Sequence, residues 1–230
     1  MRVASYNIHG CRGWASRPDV NRIAAILREI DADVVGLQEV ESRRARSPVD
    51  QAMELAAMLG MHCIEGPLML EGPGWYGNAV LSRWPAEAAR RVRFEHHGRE
   101  ARGAVVCDVA ASDGVSWRII TTHLDLRSRM RRRQFEPLLR DLTISAPRPT
   151  VLLGDFNEWW PYSTNLSVLR RHMRLPFAPA TFPSRIPLLC LDRIALLGCR
   201  LEGRVHRHDT PRTRLASDHL PIWADVVLDT

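Results

Sequence analysis

Six short apolar runs in this chain each end or begin on an acid, an amide or a histidine. R-V-A-S-Y-N ends at Asn7, V-V-G-L-Q-E at Glu39, R-I-I-T-T-H-L-D at His123 and Asp125, and V-L-L-G-D-F-N at Asp155 and Asn157. C-L-D-R-I opens a run at Asp192, and S-D-H-L-P-I-W opens the last at Asp218 and His219. Runs of this length and composition read as strands. A lone acid at a strand end is ordinarily a solvated cap or turn residue. The repetition is what constrains the fold. Strand ends on one side of a sheet converge, and open α/β sheets bind ligands there.

Amphipathic helices alternate with these strands. The spacing predicts helices over Pro18–Asp31, Val49–Leu59, Arg129–Ile144 and Ser163–His172. Further strands are predicted at Met61–Glu65, Asn78–Ser82, Ala88–Phe94, Gly103–Ala110, Arg200–Val205 and Leu220–Val227. Asp113-Gly114 marks a hairpin before Trp117–His123. Phe177–Pro187 and His206–Ala216 read as loops too short to link domains. Interleaved strands and helices predict an α/β sandwich whose paired sheets are covered by helices. The 230 residues suit one domain, 1–230, with an ample core. No apolar run reaches the roughly 20 residues of a membrane-spanning helix. Five scattered cysteines without a C-x-x-C pair argue against a zinc site or disulfide framework, and no signal-peptide layout follows Met1. A cytoplasmic monomer is the expectation.

The chemistry follows from the inventory. Carboxylates gathered without a counterion repel one another. A hard divalent cation removes the conflict, and an all-oxygen set of Asp, Glu and Asn suits Mg²⁺, or Mn²⁺, better than Zn²⁺. The slowest phosphate hydrolyses need on the order of 20 kcal/mol removed from their barrier. Acid–base catalysis supplies only about 10²–10⁴-fold, so metal and charge stabilisation must supply much of the rest. The net charge of +6, carried by arginine with no lysine, suits phosphate-bearing partners.

The ordered set S-Y-N-I-H-G, L-Q-E-V, G-N-A-V-L-S-R, T-T-H-L-D-L, L-L-G-D-F-N, L-D-R-I and S-D-H-L-P-I resembles the endonuclease/exonuclease/phosphatase superfamily from Ser5 to Ile222. The resemblance implies a four-layer sandwich of two mixed β-sheets, face to face, with helices outside. It implies Glu39 as principal Mg²⁺ ligand, supported by Asn7 and Asp218. It implies Asp155 readying the attacking water, Asn157 holding it or a phosphate oxygen, and His219 at the scissile phosphate with Asp192 fixing its tautomer. His123 is implied at a phosphate oxygen or the leaving group. The abasic-site endonuclease branch is expected to carry a tyrosine near that position, so the chain departs from that pattern.

Arg102, Asn78 and Trp159 are further candidates for substrate contact. The alternatives are a salt bridge for Arg102, a strand-edge hydrogen bond for Asn78, and packing under the loop for at least one of Trp159 and Trp160. The arginine run from Arg127 reads as either a nucleic-acid patch or a solvated helix face. His206, His208 and Asp209 read as a loop and not a second metal site. The substrate reading is a nuclease or phosphodiesterase acting on DNA or RNA. The alternatives are a phosphatase or phosphodiesterase acting on a phospholipid headgroup or small phosphorylated molecule, and a catalytically silent binding module.

Overall fold

A computed structural model describes residues 1–14, 17–94, 100–144 and 148–229. One sheet is built from β1 (Arg2–Asn7), β2 (Val34–Glu41), β3 (His62–Glu71), β4 (Gly74–Ser82), β10 (Cys199–Leu201), β11 (His206–Arg207) and β12 (Ile222–Leu228). Its order is β10-β12-β1-β2-β4-β3, with β11 also on β12. The second is built from β5 (Ala86–Arg93), β6 (Gly103–Ala110), β7 (Ser116–His123), β8 (Thr150–Asp155) and β9 (Asp192–Leu197), in that order. Both sheets are mixed: β1 runs parallel to β2 and β7 parallel to β8, while the other pairs are antiparallel.

Alternation along the strands sorts side chains into three cores. Val3, Val34, Val105, Val151 and Leu153 meet between the sheets. Ala4, Tyr6, Val35 and Leu37 face the other way, onto Ile23, Ile26, Leu27 and Ile30 of α1 (Val20–Ile30) and Leu55 of α2 (Gln51–Leu59). Val106, Ile120 and Leu152 pack on Phe135 and Leu138 of α3 (Ser128–Ile144) and Leu166 and Leu169 of α4 (Thr164–Arg170). The result is the four-layer α/β sandwich, helices outside and sheets within. Burial on both faces explains the continuous apolar runs Val34–Leu37 of β2 and Val151–Leu153 of β8.

Local chemistry sets the ends of elements. Asp19 accepts a hydrogen bond from the Arg22 N–H to cap α1, and Asp50 accepts from Ala52 and Met53 to cap α2. The Asp113-Gly114 turn joins β6 to β7 as expected, with Gly114 at φ 78°. Three expectations are corrected. The hairpin β3–β4 is longer than Met61–Glu65 and Asn78–Ser82, turning at Gly72 with φ 57°. The strand expected over Arg200–Val205 is split into β10 and β11, because Gly203 at φ 98° leaves the extended region. The segment 206–216 is not all loop: it holds β11 and the helical turn α5 (Thr213–Ala216). No described helix is long and apolar enough to cross a membrane.

The arginine run of α3 is not uniformly solvated. Arg131 is buried, with Nε 3.1 Å from buried Glu158 Oε2, and its guanidinium also donates to the carbonyls of Asp125 and Leu126. Asn165 Nδ2 donates to the same Glu158 oxygen at 2.8 Å. This pair fastens α3 and α4 beneath the loop that follows β8. Removing one partner strands a buried charge. Arg131→Ala is therefore expected to cost about 3–5 kcal/mol in denaturant unfolding. The exposed neighbour change Arg132→Ala is expected to stay within about 0.5 kcal/mol.

Candidate active site

Strand register assembles the first half of the site. His123, Asp155 and Asp192 are direct cross-strand neighbours on β7, β8 and β9. Gly154, at φ 148°, comes within a methyl's reach of the Thr122 backbone, where a Cβ would lie 1.9 Å from the carbonyl oxygen. Only glycine fits there, which accounts for the G before D in G-D-F-N. Asn157 follows in the left-handed region at φ 51°, a conformation asparagine tolerates. Its N–H donates to Asp155 Oδ1 at 2.8 Å, and its Nδ2 donates to the Leu124 carbonyl at 2.9 Å.

The other sheet supplies the second half. Asn7 ends β1, and Glu39 sits where a bulge interrupts the β2–β4 register between Leu37 and Val40. Glu39 takes φ 56°, an uncommon backbone for a non-glycine residue. The bulge re-aims its carboxylate toward β1. Asn7 Nδ2 then donates to Glu39 Oε1 at 2.9 Å and to Asp155 Oδ2 at 3.1 Å, spanning the two sheets. The sheets can approach because Gly36 faces Leu153 and Thr121, where a Cβ would clash at 1.9 Å. Asp218 and His219 enter on the loop before β12. That loop is tied down by Ser217 Oγ, which donates to the Asn7 carbonyl at 2.7 Å.

The two histidines are held in different states. His219 Nδ1 lies 2.9 Å from Asp192 Oδ2, and its Nε2 lies 3.6 Å from Asp155 Oδ2. Burial opposes its charge, but Asp192 and then Asp155 outweigh it and push its pKa up to about 10. His123 Nδ1 lies 2.8 Å from Arg102 Nη1. A guanidinium can only donate, so Nδ1 accepts and the ring's proton sits on Nε2, 3.4 Å from Asp155 Oδ2. Burial, then Arg102 and His219, hold the His123 pKa well below the ordinary range.

The carboxylates carry the opposite strain. Burial raises the Glu39 pKa against the Asn7 hydrogen bond. Burial, with Asp192, pushes Asp155 up to about 6 against the pull of His219. Glu39, Arg102, His123, Asp155, Asn157, Asp218 and His219 line one cleft of about 440 Å³, together with Trp159. Glu100 joins them, and the remaining walls are apolar: Leu126, Phe182, Leu189 and Leu191.

The structure thus brings together Asn7, Glu39, Arg102, His123, Asp155, Asn157, Trp159, Asp192, Asp218 and His219. It does not bring Asn78 to the cleft wall. Asn78 Nδ2 donates to the Gly103 carbonyl at 3.0 Å, a bond between the sheets. Arg102 has the salt bridge, 2.8 Å to Glu100, as well as the His123 contact. Packing under the loop is corrected for both tryptophans: Trp159 is 55% exposed and Trp160 53%. Asp125 lies apart, accepting from Arg127. His206 stacks on Trp223, His208 pairs with Glu29, and Asp209 pairs with Arg207 and Arg214, so these three hold the surface loop in place.

Three contributors were missed in the sequence. His9 Nδ1 lies 3.5 Å from Asp218 Oδ1. Thr181 Oγ1 donates to Asp192 Oδ2 at 2.5 Å, on the oxygen that also faces His219. Glu100 joins the cleft wall as the partner of Arg102. The histidine in N-I-H-G was the one available signal; Thr181 and Glu100 had none beyond lying near candidate segments.

Comparison with known proteins agrees with this fold. The family model described as "Endonuclease/Exonuclease/phosphatase family" matches residues 4–219. The uncharacterized protein YbhP of Escherichia coli K12 is 29% identical over 252 residues, covering 99% of this chain and 96% of that one. A solved endonuclease/exonuclease/phosphatase from Bacteroides vulgatus superposes with a TM-score of 0.82 at 21% identity, over 99% of this chain and 98% of that one. TDP2 of D. rerio, solved in complex with a single-strand DNA product, gives 0.76 at 16% identity, over 99% and 98%. The last two likenesses establish the fold, and the family match establishes membership: this chain belongs to the endonuclease/exonuclease/phosphatase family and is a phosphoesterase.

Proposed function

We propose that this single-domain chain is an Mg²⁺-dependent phosphodiesterase acting on nucleic acid, with Mn²⁺ as the alternative ion. The donor set fits a hard divalent cation. Glu39 and Asp218 offer carboxylate oxygens to the cleft, and the rise in the Glu39 pKa marks negative charge that burial leaves under-compensated. Glu39 would hold the ion, with Asp218 beside it and Asn7 supporting the Glu39 carboxylate through Nδ2. The bound ion would polarise a phosphoryl oxygen and offset its charge. The tightest acid–histidine group, Asp155, Asp192 and His219 within 4.8 Å, is a different set. We read it as proton machinery, because His219 occupies the space between the two carboxylates.

The chain's own residues divide the remaining work. Asp155 accepts from the attacking water and orients it, and Asn157 steadies that water or a phosphate oxygen. His219, fixed through Nδ1 by Asp192, presents its Nε2–H to the scissile phosphate. His123, neutral by virtue of Arg102, donates from Nε2 to a phosphoryl oxygen. Arg102 positions that ring through Nη1 while Glu100 holds Nη2. On this assignment Asp155→Asn, His219→Ala and Glu39→Ala each lower kcat on bis-p-nitrophenyl phosphate by about 10²–10⁴-fold. Circular dichroism is expected to stay unchanged. EDTA is expected to abolish turnover and Mg²⁺ to restore it. A near wild-type rate in any of the three variants removes that residue's role.

One observation carries the nucleic-acid reading. Trp159 walls the cleft while half exposed, and Trp160 and Tyr162 continue from it edge-to-face, with ring centroids 6.0 and 6.3 Å apart. Exposed Arg129, Arg132 and Arg133 follow Leu126, another residue of the cleft wall, along the chain. Open aromatic faces beside a basic surface suit bases and their backbone. A second reading, a phospholipid headgroup, is favoured by Leu126 itself, 73% exposed at the cleft. Trp159→Ala is expected to raise KM for a single-stranded oligonucleotide by about 5- to 100-fold, the worth of one stacked base. Turnover of bis-p-nitrophenyl phosphate is expected to hold. Failure to cleave any oligonucleotide, with hydrolysis of phospholipid vesicles, transfers the assignment to the second reading.

A further inference from the structure

Twelve large apolar side chains stand exposed among the described residues, and six of them sit on the three loops that wall the catalytic cleft. Leu126 follows β7, and Trp159, Trp160 and Tyr162 follow β8. Ile186 and Leu188 lie on the loop before β9, between the cleft residues Phe182 and Leu189. Their exposures run from 53% at Trp160 to 79% at Tyr162. Exposed apolar residues scattered singly need no explanation, whereas a concentration around one cleft marks an interaction surface.

Buried bonds hold these side chains out in water. Glu158, 3% exposed, anchors the start of the aromatic loop: its carboxylate accepts from Arg131 and Asn165, and its carbonyl from Arg193 Nη2 at 3.2 Å. Ser163 fixes the other end by capping α4. Trp159, Trp160 and Tyr162 stand between these two points. Their mutual contacts are edge-to-face, at 70° and 73°, which leaves ring faces open. The loop before β9 is closed on itself. The Leu188 and Leu189 N–H groups both donate to the Phe182 carbonyl, at 2.9 and 2.8 Å, and the Ile186 N–H donates to the Pro183 carbonyl at 3.1 Å. Phe182 in turn packs against the His219 ring, with centroids 5.0 Å apart. The apolar rim is thus built onto the same framework as the reacting groups.

We propose that this rim receives unpaired bases, so that the protein cleaves single-stranded nucleic acid in preference to the same sequence in a duplex. The proposal rests on the nucleic-acid reading and narrows it. A phosphodiester held in the cleft carries a nucleoside on each side, and those nucleosides must lie on the walls around it. Here the walls offer ring faces and aliphatic side chains. Every base has a flat apolar face that such surfaces take up. In a duplex those faces are stacked on their neighbours, and the outward surface is sugar and phosphate. A duplex must unstack and unpair before it can use the rim, a cost the single strand does not bear. Arg102, the guanidinium of the cleft wall, is already held by Glu100 and His123, which leaves recognition to the apolar groups.

The test uses one labelled DNA oligonucleotide that cannot pair with itself. It is presented alone, annealed to its full complement, and annealed to a strand that leaves a central bubble unpaired. With Mg²⁺, kcat/KM is expected to be at least about tenfold higher on the single strand than on the full duplex, and cleavage of the third substrate is expected to fall inside the bubble. The double variant Ile186→Ser/Leu188→Ser changes two exposed side chains outside the catalytic set. It is expected to raise KM for the single strand by about fivefold or more, with turnover of bis-p-nitrophenyl phosphate within about twofold of wild type. A duplex cleaved as fast as the single strand overturns the proposal and leaves the nucleic-acid reading intact. An unchanged single-strand KM in the double variant also overturns it. Hydrolysis of bis-p-nitrophenyl phosphate with no oligonucleotide cleaved refutes the nucleic-acid reading and this narrowing with it. Co-sedimentation with phosphatidylglycerol vesicles would then assign the rim to a lipid surface.

Discussion

The Asn7 side-chain amide touches carboxylates from both sheets: Glu39 beside it on β2 and Asp155 across the sandwich on β8. Everything at the site depends on the spacing that makes this contact reachable. Face-to-face sheets ordinarily stand about 10 Å apart, too far for so short a side chain to reach a backbone-anchored acid unless the local approach is close. Gly36 provides the approach, since any Cβ there would strike Leu153 and Thr121. Gln38 secures it, donating from Nε2 to Thr121 Oγ1 at 2.9 Å. The core between the sheets and the geometry of the site are therefore one problem. A change in inter-sheet packing moves Asp155 relative to Glu39.

Electrostatics then sorts chemically identical groups into different roles. Asp155 and Asp192 are cross-strand neighbours, an arrangement that is unfavourable for two anions. His219 between them resolves the conflict, and Thr181 adds a hydroxyl donor to Asp192. The second histidine faces an arginine instead of an acid on its Nδ1 side, and so stays neutral. Two imidazoles on the rim of one cleft thus differ in charge because their Nδ1 partners differ. Pairs of groups driven apart in this way are how one site holds both a proton donor and a neutral hydrogen-bond partner.

Much of this was legible in the chain because strand ends announce themselves. Glu39, His123 and Asp155, which close V-V-G-L-Q-E, T-T-H-L-D-L and V-L-L-G-D-F-N, do lie in one cleft, since alternation and apolar runs fix where strands stop, while Asp125 of the same motif lies apart. What stayed hidden has a common physical cause. Glu39 owes its aim to a bulge that no glycine or proline marks, and His9 its place to a left-handed turn of which only Gly10 shows in the sequence. Thr181 meets Asp192 from eleven residues away across a loop. Arg131 looked like one more member of a surface run, and only the fold shows Glu158 beneath it. Local patterns carry periodicity, whereas partners brought by tertiary structure leave no local trace.

The strained residues point the same way as the charges. Among the described residues, the non-glycine positions with positive φ are His9, Cys11, Asp31, Glu39 and Asn157. Asp31 ends α1, where a left-handed cap is ordinary. His9 and Glu39 bond directly to Asn7, and Asn157 to Asp155. Backbone strain is tolerated only where surrounding bonds over-determine it, and here those bonds run through Asn7 and Asp155. A centre fixed so firmly by its backbone leaves little freedom for recognition within the reacting core. Recognition then falls to the walls outside that core, of which the half-exposed face of Trp159 is the most open aromatic one.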